Sequence, residues 1–343
     1  MKINFENDYS SVAHKRVLEK LLSAADESNF GYGNDSHSKT ATNLIKKQMK
    51  YEDCDIYYLS GGTAVNKLVI TSFLKPFEAV ICAETGHINV HETGAIEAGG
   101  HKVLTVKTND GKLTTNLIEP ILDEHNSSHM VKPKMVYISN TTELGGVYTK
   151  LELKRLKEFC TSRGVYLYVD GARLGSALCS TESDLTLEDL PYLCDVFYIG
   201  GTKSGALYGE ALVLVNDDFK ADMPYRIKNL GMLFAKGFNT ALQFEALFED
   251  GLFFDIAKHE NKLSRYLYDE LDELGFDFKD FWKSNQIFVI MDNNLIKKLY
   301  EKFSFIIWEK FDESSSVVRL VTSFKTKKQD CDSFLKCVLN NMD

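Results

Sequence analysis

One lysine lies inside a glycine-rich stretch, residues 200–209, directly after the apolar run 196–199. Small residues on both sides of Lys203 allow a flat ligand to approach the backbone closely. A crowded ammonium group there loses part of its hydration, and dehydration favours the neutral amine. Neutral lysine amines attack aldehydes to form imines, so Lys203 is a candidate nucleophile.

An aspartate and an arginine follow a second apolar run, residues 165–169, upstream of Lys203. A continuous apolar run is typical of a buried parallel strand, and open α/β sheets bind ligands at the carboxyl ends of their strands. Pyridoxal phosphate requires a lysine at its aldehyde and a carboxylate at its ring nitrogen. Asp170 and Lys203 together therefore predict a pyridoxal phosphate site, with Arg173 close by.

A Ser-Gly-Gly-Thr sequence, residues 60–63, lies between a predicted strand and a predicted helix. Free N–H groups and the positive dipole at a helix start bind phosphate, and Thr63 adds a hydroxyl beside Gly62. On this motif alone, an ordinary turn with Ser60 or Thr63 as the helix N-cap is an equally good interpretation. The position of this motif upstream of Asp170 and Lys203 favours the interpretation as a phosphate site.

Two histidines, four residues apart, follow another predicted strand. The flat imidazole of His87 is suited to stacking on a pyridine ring, worth about 1 kcal/mol by analogy with aromatic pairs. His91 shares its helix face, and such a pair could instead bind a metal ion. No third ligand accompanies the pair and the sequence does not match His-Glu-x-x-His, so we expect no metal site.

Alternating strands and helices over the first two thirds of the chain must position these residues. Apolar runs predict strands at residues 55–59, 79–82, 101–106, 134–138, 165–169, 195–199 and 211–215. Helical spacing predicts helices at residues 12–25, 38–50, 63–74 and 151–163. Repeated βαβ units form a mainly parallel sheet covered on both faces, so the expected fold class is α/β.

Long helical stretches and two separated strands make up the rest of the chain. Helices are predicted at residues 218–229, 240–249 and 254–274, and strands at residues 286–291 and 317–321. This pattern indicates a small α+β domain packed against the large one. We expect an amino-terminal arm and large domain over residues 1–240 and a small C-terminal domain over residues 241–343.

The composition is that of a large soluble enzyme, with 343 residues, 44% hydrophobic content and 26% charged content. The net charge of -9 argues against a general nucleic-acid or anionic membrane surface. Seven scattered cysteines without a C-x-x-C pair are typical of a reducing compartment. There is no apolar signal-peptide core and no apolar run of about eighteen residues, so we expect a cytoplasmic protein.

Five sequence elements occur in order along nearly the whole chain. They are Ser-Gly-Gly-Thr at 60–63, Gly-His-Ile at 86–88 followed by Glu92, Val-Asp-Gly-Ala-Arg at 169–173, Thr-Lys at 202–203, and Val-Arg-Leu-Val-Thr at 318–322. This set resembles the L-threonine aldolases of the β-eliminating lyase family, which are fold-type I pyridoxal phosphate enzymes. The resemblance implies a fold-type I large domain and a small C-terminal domain.

The resemblance also implies a role for each matching residue. Lys203 would bind the cofactor aldehyde, Asp170 would pair with the ring nitrogen and His87 would stack on the ring, which makes these three the catalytic residues. The residues that would hold the rest of the cofactor are Gly62, Thr63, Arg173, Thr202 and Lys236. The residues that would bind the substrate are Asn7, Tyr32, Arg173 and Arg319. Two arginines match the paired acceptors of a substrate carboxylate.

The implied reaction is cleavage of the Cα–Cβ bond of a β-hydroxy amino acid. L-Threonine and L-allo-threonine would give glycine and acetaldehyde, because the protonated pyridine ring draws electrons from the α-carbon. A β-eliminating lyase or an aminotransferase with the same cofactor remains open. A pyridoxal phosphate carrier without turnover also remains open, although a carrier would not need two arginines for a substrate.

The chain departs from the family pattern near the expected substrate hydroxyl. Thr142 stands where these aldolases commonly have a histidine, and a threonine hydroxyl cannot act as a general base near neutral pH. Glu143, His87 or a water molecule could take the proton instead, and the spacing does not choose among them. Asn7 likewise stands where a serine is usual.

Fold-type I enzymes generally have their active sites at a dimer interface. The resemblance therefore implies a homodimer or homotetramer, in which Tyr32, Gly33 and Asp35 could reach the cofactor of a neighbouring subunit. The expected small-molecule partner is an amino acid substrate. We expect neither nucleic acid nor a membrane as a partner.

Overall fold

A seven-stranded sheet and a three-stranded sheet organise the computed structural model, which describes residues 2–342. The strands are β1 (Ile3–Asn4), β2 (Asp55–Leu59), β3 (Glu78–Ala83), β4 (Val103–Val106), β5 (Lys132–Ser139), β6 (Tyr166–Asp170), β7 (Val196–Gly200), β8 (Glu210–Leu214), β9 (Gln286–Asp292), β10 (Phe303–Ser304), β11 (Ile306–Lys310) and β12 (Ser315–Val321). The helices are α1 (Lys15–Ser23), α2 (Ser36–Met49), α3 (Gly62–Phe73), α4 (His87–Val90), α5 (Thr115–Glu124), α6 (Lys150–Ser162), α7 (Leu174–Leu178), α8 (Leu190–Leu193), α9 (Met223–Asn229), α10 (Phe238–Glu249), α11 (Leu252–Glu273), α12 (Asn293–Leu299) and α13 (Lys328–Leu339).

The large sheet has the strand order β2-β8-β7-β6-β5-β3-β4. From β7 to β4 all pairs are parallel, whereas β8 pairs antiparallel with both β7 and β2. Successive residues of β5 enter different cores, with Val136 and Ile138 on one face and Met135 and Tyr137 on the other. The predicted α/β class with a mainly parallel sheet covered on both faces is confirmed.

Strand direction decides which segments can meet. The carboxyl ends of β2, β3, β5, β6 and β7 all lie at one edge of the large sheet, where ligands bind in open α/β folds. We call this edge, marked by Leu59, Ala83, Ser139, Asp170 and Gly200, the carboxyl edge. Because β8 runs the other way, it begins at the carboxyl edge instead of ending there.

The first turn of a helix shows whether its amide groups are free. α2 begins after Asp35, whose carboxylate accepts a hydrogen bond from the Ser38 amide at 2.7 Å. α3 begins after Gly61, and no side chain within the described residues caps it. The alternative in which Ser60 or Thr63 caps α3 is therefore wrong, and the first amides of this helix stay free.

Buried apolar side chains form the cores of two domains. The large-domain core includes Leu247 and Phe248 of α10 and extends to Ile256 of α11. The small-domain core includes Leu263 and Leu267, which also belong to α11. We therefore propose a domain boundary inside α11, instead of between residues 240 and 241 as the sequence suggested.

The amino-terminal segment packs on the small domain. β1 pairs in parallel with β10, and the Phe5 ring contacts both Phe303 and Phe334. The Phe5 amide donates to the Ser304 carbonyl and the Phe5 carbonyl accepts from the Val321 amide, each at 2.8 Å. From there the segment crosses to the carboxyl edge of the large sheet.

The small sheet has the order β11-β12-β9, with antiparallel pairs throughout. Its central strand, β12, carries Arg319. Between residues 2 and 342, no helix combines the length and apolar character needed to cross a membrane.

Candidate active site

The carboxyl edge brings together the residues with the strongest sequence signals. Asp170 ends β6, Lys203 lies in the turn after β7, and His87 begins α4 after β3. Gly62 and Thr63 begin α3 after β2. β6 and β7 are neighbours in the sheet, which places the carboxylate beside the lysine turn.

Four hydrogen-bond donors fix the carboxylate of Asp170. Its Oδ2 atom accepts from the Tyr137 hydroxyl at 2.5 Å and from Asn66 Nδ2 at 3.2 Å. Its Oδ1 atom accepts from the Tyr198 hydroxyl and from the Ala172 amide. Burial and the negative charge of the aspartate raise the pKa of both tyrosines well above its usual value, so both hydroxyls keep their protons and donate. A ring nitrogen at this edge would meet an acceptor of fixed orientation.

Lys203 has the environment expected of an amine nucleophile. Burial lowers the pKa of Lys203, and the positive charge of Arg173 lowers it further. The negative charges that raise this pKa are weaker, and they belong to Asp8, Asp170 and Glu210. Its Nζ atom lies 6.0 Å from the centre of the Tyr9 ring and forms no hydrogen bond within residues 2–342. The amine is therefore available to a ligand.

A buried glutamate that the sequence analysis missed holds the turn that carries the lysine. Glu210 accepts hydrogen bonds from the Gly201 amide and from the Thr202 hydroxyl, each at 2.8 Å. The same hydroxyl accepts from the Gly209 amide at 3.0 Å. Burial raises the pKa of Glu210 to about 7. The Thr202 proton is thus directed at Glu210, and the predicted contact of Thr202 with a phosphate stays a prediction.

His87 is held by a buried acid at the start of α4. Its Nδ1 atom lies 2.8 Å from Glu92 Oε1, which also accepts from Asn66 Nδ2 at 2.7 Å. Burial alone would lower the pKa of His87, but the hydrogen bond to Glu92 and the charge of Asp170 raise it. About a third of the ring surface stays exposed, at 33% of the side chain. A fixed ring with an open surface is suited to stacking on a flat ligand.

Arg173 forms a two-point ion pair with an acid from the amino-terminal segment. Its Nε atom lies 2.6 Å from Asp8 Oδ2 and its Nη2 atom lies 3.1 Å from Asp8 Oδ1. Burial opposes ionisation of the acid, but the charges of Arg173 and Lys203 lower the pKa of Asp8 below its usual value. The guanidinium is oriented by this pair before any substrate arrives.

Arg319 approaches the same place from the small domain. Its Nη2 atom donates to the Glu6 carbonyl at 3.3 Å, and its guanidinium lies 5.1 Å from the centre of the Trp308 ring. Burial and the positive charge of Arg173 lower the pKa of Arg319 to about 10. Of the two guanidinium groups, that of Arg173 is paired with Asp8 and that of Arg319 has no carboxylate partner among residues 2–342, an arrangement that suits a carboxylate from a ligand.

Asn7 points its side chain into its own turn. The Oδ1 atom accepts from the Tyr9 amide at 3.0 Å and from the Ser10 hydroxyl at 2.7 Å. Asp8 is the residue of this segment that contacts Arg173. Its neighbours Glu6, Tyr9 and Ser10 are exposed, so nothing in the local sequence marks Asp8 as a buried acid.

The start of α3 has the features of a phosphate site. Its uncapped amides and its positive dipole face the carboxyl edge, and Thr63 is exposed there. A Cβ atom at Gly62 would lie 3.0 Å from the Tyr198 hydroxyl, so glycine leaves that hydroxyl free to reach Asp170.

Two predicted residues lie outside this site within one chain. The Tyr32 amide donates to the Ala235 carbonyl at 3.2 Å, next to Lys236, and its ring lies 4.7 Å from Lys228 Nζ. Tyr32 lines a cavity of about 540 Å³ between α2 and the segment before α10. None of the residues that line it belongs to the lysine, aspartate, histidine or arginine set at the carboxyl edge.

Thr142 has a structural role in a turn. Its hydroxyl donates to the Asp110 carbonyl at 3.0 Å and accepts from the Gly146 amide at 2.9 Å. The hydroxyl is therefore engaged both as a donor and as an acceptor within this turn.

Three buried donors around the site have no partner between residues 2 and 342. They are the Thr85 hydroxyl after β3, Asn140 Nδ2 just after β5, and Arg319 Nε of the small domain. Because buried donors are normally hydrogen-bonded, each suits an acceptor that a ligand brings. An amine, a fixed carboxylate, an open ring surface, free helix amides and an unpartnered donor together fit pyridoxal phosphate.

Comparison with known proteins agrees with this geometry. The family model for β-eliminating lyases matches residues 6–294. A low-specificity L-threonine aldolase from a Pseudomonas species is 31% identical over 304 residues, covering 86% of this chain and 87% of that protein. A protein of the same description from Pseudomonas aeruginosa is 31% identical over 265 residues, 76% of each chain. The solved structure of Leishmania major threonine aldolase has a TM-score of 0.97 and 43% identity, covering 98% of this chain and 99% of that one. This chain belongs to the β-eliminating lyase family, as its motifs implied.

Proposed function

We propose that this chain is a pyridoxal phosphate-dependent lyase that cleaves L-threonine and L-allo-threonine to glycine and acetaldehyde. The observation that carries the proposal is the pair of arginines, Arg173 and Arg319, beside the lysine turn, with one guanidinium nitrogen left unpaired. An amino acid substrate supplies the missing carboxylate next to Lys203. The similarity to threonine aldolases supports a β-hydroxy amino acid as the substrate.

Each functional group of the cofactor has a counterpart in the chain. Lys203 would hold the aldehyde carbon, Asp170 the ring nitrogen and His87 the ring face, and the free amides of Gly62 and Thr63 would hold the phosphate. When bound, the cofactor supplies an electron sink for the pair released at the substrate α-carbon.

The residues of the chain contribute orientation and proton transfer. By fixing the substrate carboxylate, Arg173 and Arg319 fix the rotation of the groups on the α-carbon, which selects the bond that breaks. The four donors to Asp170 keep its carboxylate in place without reorganisation during the reaction. The lowered pKa of Lys203 favours the neutral amine, the form that can accept and return a proton.

Product analysis tests the reaction. With L-threonine or L-allo-threonine as substrate, the holoenzyme should release glycine and acetaldehyde in equal amounts. Pyruvate and ammonia from serine in place of glycine formation would indicate β-elimination. Amino-group exchange with a keto acid would indicate transamination, and either result without glycine would contradict the proposal.

The variant Lys203→Ala tests whether the cofactor is attached to Lys203. It should lose the absorbance of the attached cofactor and lower kcat on the order of 10³-fold, because no other amine replaces it. Lys154→Ala, at an exposed position on α6, is the control and should change neither. Covalently attached cofactor in Lys203→Ala would place the attachment elsewhere.

Assembly and location remain predictions of the sequence. We propose a homodimer or homotetramer in the cytoplasm. Tyr32 lines a cavity that contains none of the lysine, aspartate, histidine and arginine set of its own chain, and this supports a role for Tyr32 and the nearby Lys236 at the site of a neighbouring subunit.

A further inference from the structure

We propose that Glu143 accepts the proton of the substrate β-hydroxyl when the Cα–Cβ bond is cleaved, a role that rests on the function proposed above. Such a cleavage needs a proton acceptor, because the hydroxyl must become the carbonyl of the released aldehyde. Thr142 is excluded, since its hydroxyl is used in a turn. Glu143 is the next residue along the chain and reaches the carboxyl edge.

Other residues hold the side chain of Glu143 through one oxygen, and its own backbone amide is a further donor to the carboxyl group. Its Oε1 atom accepts from the Ser139 hydroxyl at 2.9 Å and from the His87 amide at 3.1 Å. Ser139 is paired with Asp170 across neighbouring strands, which places the carboxyl group at the centre of the carboxyl edge. Oε2 accepts no hydrogen bond from any other residue between 2 and 342, and it is not among the enclosed atoms without a partner. One oxygen is therefore left for a substrate.

The charges around Glu143 suit a proton acceptor. Burial raises its pKa and the charge of Asp170 raises it further, against the hydrogen bond from Ser139 and the charge of His87. Arg173 is a further charged group that faces it. The neutral titratable groups around it are Cys82, Tyr137 and Tyr148. A carboxylate with a raised pKa takes a hydroxyl proton more readily than an ordinary one.

The other acids at this edge are already bound to partners. Asp8 is paired with Arg173, Asp170 accepts four hydrogen bonds, and Glu210 accepts from Gly201 and Thr202. Glu92 is bonded to His87 through Oε1, and its Oε2 atom, which has no partner in the described chain, is enclosed, so a substrate does not reach it. His87 is bonded to Glu92 through Nδ1, and its raised pKa favours the protonated ring, which has no free electron pair for another proton.

His91 is the remaining neutral base close to the site. Burial and the positive charges of His87 and Arg319 lower its pKa. Its ring lies 5.4 Å from the His87 ring, but the residue is exposed and the described chain gives its side chain no hydrogen bond. The geometry therefore favours Glu143, whose carboxyl group is oriented, and His91 becomes the alternative that the experiment tests.

The proposed step conserves atoms and electrons. Glu143 Oε2 takes the β-hydroxyl proton, and the electron pair of the O–H bond becomes the second bond of the aldehyde carbonyl. The pair of the Cα–Cβ bond stays with the α-carbon, which then takes a proton to give glycine. In the reverse direction the protonated Glu143 returns its proton to the new hydroxyl.

The experiment compares Glu143→Gln with Glu97→Gln, the same substitution at an exposed position on this domain. Glu143→Gln should lower kcat for L-threonine cleavage on the order of 10²- to 10³-fold. It should also remove the fall of kcat at low pH, because the group whose protonation stops the reaction is gone. Cofactor absorbance and exchange of the glycine α-proton with deuterium, which involve no β-hydroxyl, should stay within about threefold of the wild type.

Two further variants keep the test decisive if the glutamine protein does not fold. Ser139→Ala removes a hydrogen bond that lowers the pKa of Glu143, so the fall of kcat should move to higher pH. His91→Asn should leave kcat and its pH profile unchanged.

Each remaining outcome has one meaning. Glu143→Gln with unchanged kcat and pH profile would overturn the proposal, and so would loss of glycine exchange in that variant, which would show a structural role. Loss of cleavage in His91→Asn alone would identify His91 as the acceptor of the β-hydroxyl proton. If the wild type released no glycine and aldehyde while binding its cofactor, the proposed function would fail instead.

Discussion

Asp8 and Arg173 form a buried ion pair in the wall of the site, and Asn285 donates a third hydrogen bond to the same carboxylate at 3.1 Å. Burying two charges removes most of their hydration, so an intact pair adds little net stability. Breaking it is costly, because the charge that remains has no partner. The pair therefore serves mainly to orient Arg173 toward the substrate carboxylate.

Asp8→Asn should lower the free energy of unfolding by about 3 kcal/mol at pH 7, because Arg173 would keep its charge without a counterion. The pKa of Asp8 is lowered in the folded protein, so its stabilisation is complete above its ordinary value of 3.8 and is lost as the pH falls through the lower folded value. The difference between wild type and variant should therefore be constant from about pH 8 to 5 and shrink below about pH 4. Urea unfolding across this range measures it.

Asp26→Asn, at an exposed aspartate, is the control and should change stability by less than about 0.5 kcal/mol. Equal stability of Asp8→Asn and wild type at pH 7 would show that Arg173 finds another partner.

At the scale of elements, the reversed direction of β8 explains how an acid reaches the lysine turn. Its first residue, Glu210, pairs with Gly200 in β7 and with Leu59 in β2. From that position the carboxylate accepts hydrogen bonds from the Gly201 amide and the Thr202 hydroxyl and so fixes the turn that carries Lys203. A parallel strand would have brought its last residue to this edge, and Glu210 would lie at the opposite side of the sheet.

Glu210→Ala should loosen the turn. Two hydrogen bonds to the carboxylate are lost, and backbone amides in residues 201–209 should exchange with deuterium at least about tenfold faster. Glu78→Ala is a matched control, since Glu78 is also buried and accepts from the Lys75 amide at 2.8 Å, but at the opposite edge of the sheet. Mass spectrometry of the peptide that contains Lys203 gives the rates, and equal exchange in both variants would contradict the role of Glu210.

The central strands could be predicted from the sequence because they are continuous apolar runs bounded by glycine or polar residues. The predicted strand 55–59 coincides with β2, and the run 195–199 matches β7 within one residue. The direction of a strand could not be predicted in this way. β8 is buried on both faces like its parallel neighbours, so its apolar run does not indicate which end of the strand lies at the carboxyl edge. The role of Glu210 therefore could not be predicted.

Very short strands, and contacts between residues far apart in the chain, also could not be predicted from the sequence. β1 and β10 have two residues each, too few for any period to appear. Asp8 and Arg173 are 165 positions apart, so no local pattern joins them. The sequence did predict Lys203, Asp170 and His87, because each follows a strong strand signal and the chemistry of the cofactor requires those residue types.

At the scale of the whole molecule, one segment connects both domains to the site. Phe5 is packed in the small-domain core, and three residues later Asp8 holds Arg173 of the large domain. Arg319 of the small domain reaches back to the Glu6 carbonyl between them. The two arginines therefore keep their spacing only while this segment is docked.

Phe5→Ala should destabilise the protein by about 3 to 5 kcal/mol, because it removes a fully buried ring. It should also raise KM for the amino acid substrate, since the segment that orients both arginines becomes loose. Phe311→Ala removes a ring that is 60% exposed and should have neither effect. Urea unfolding and steady-state kinetics measure the two effects, and a stability loss without a change in KM would separate the segment from substrate binding.

The docking of the amino-terminal segment also determines when a newly made chain can become active. Phe5 is translated long before its partners Ser304 and Val321. At about 5 to 20 residues per second, the interval is roughly 15 to 60 seconds. Until both partners are made, the segment cannot dock and hold Asp8 against Arg173, so a chain that terminates before Val321 cannot complete the site.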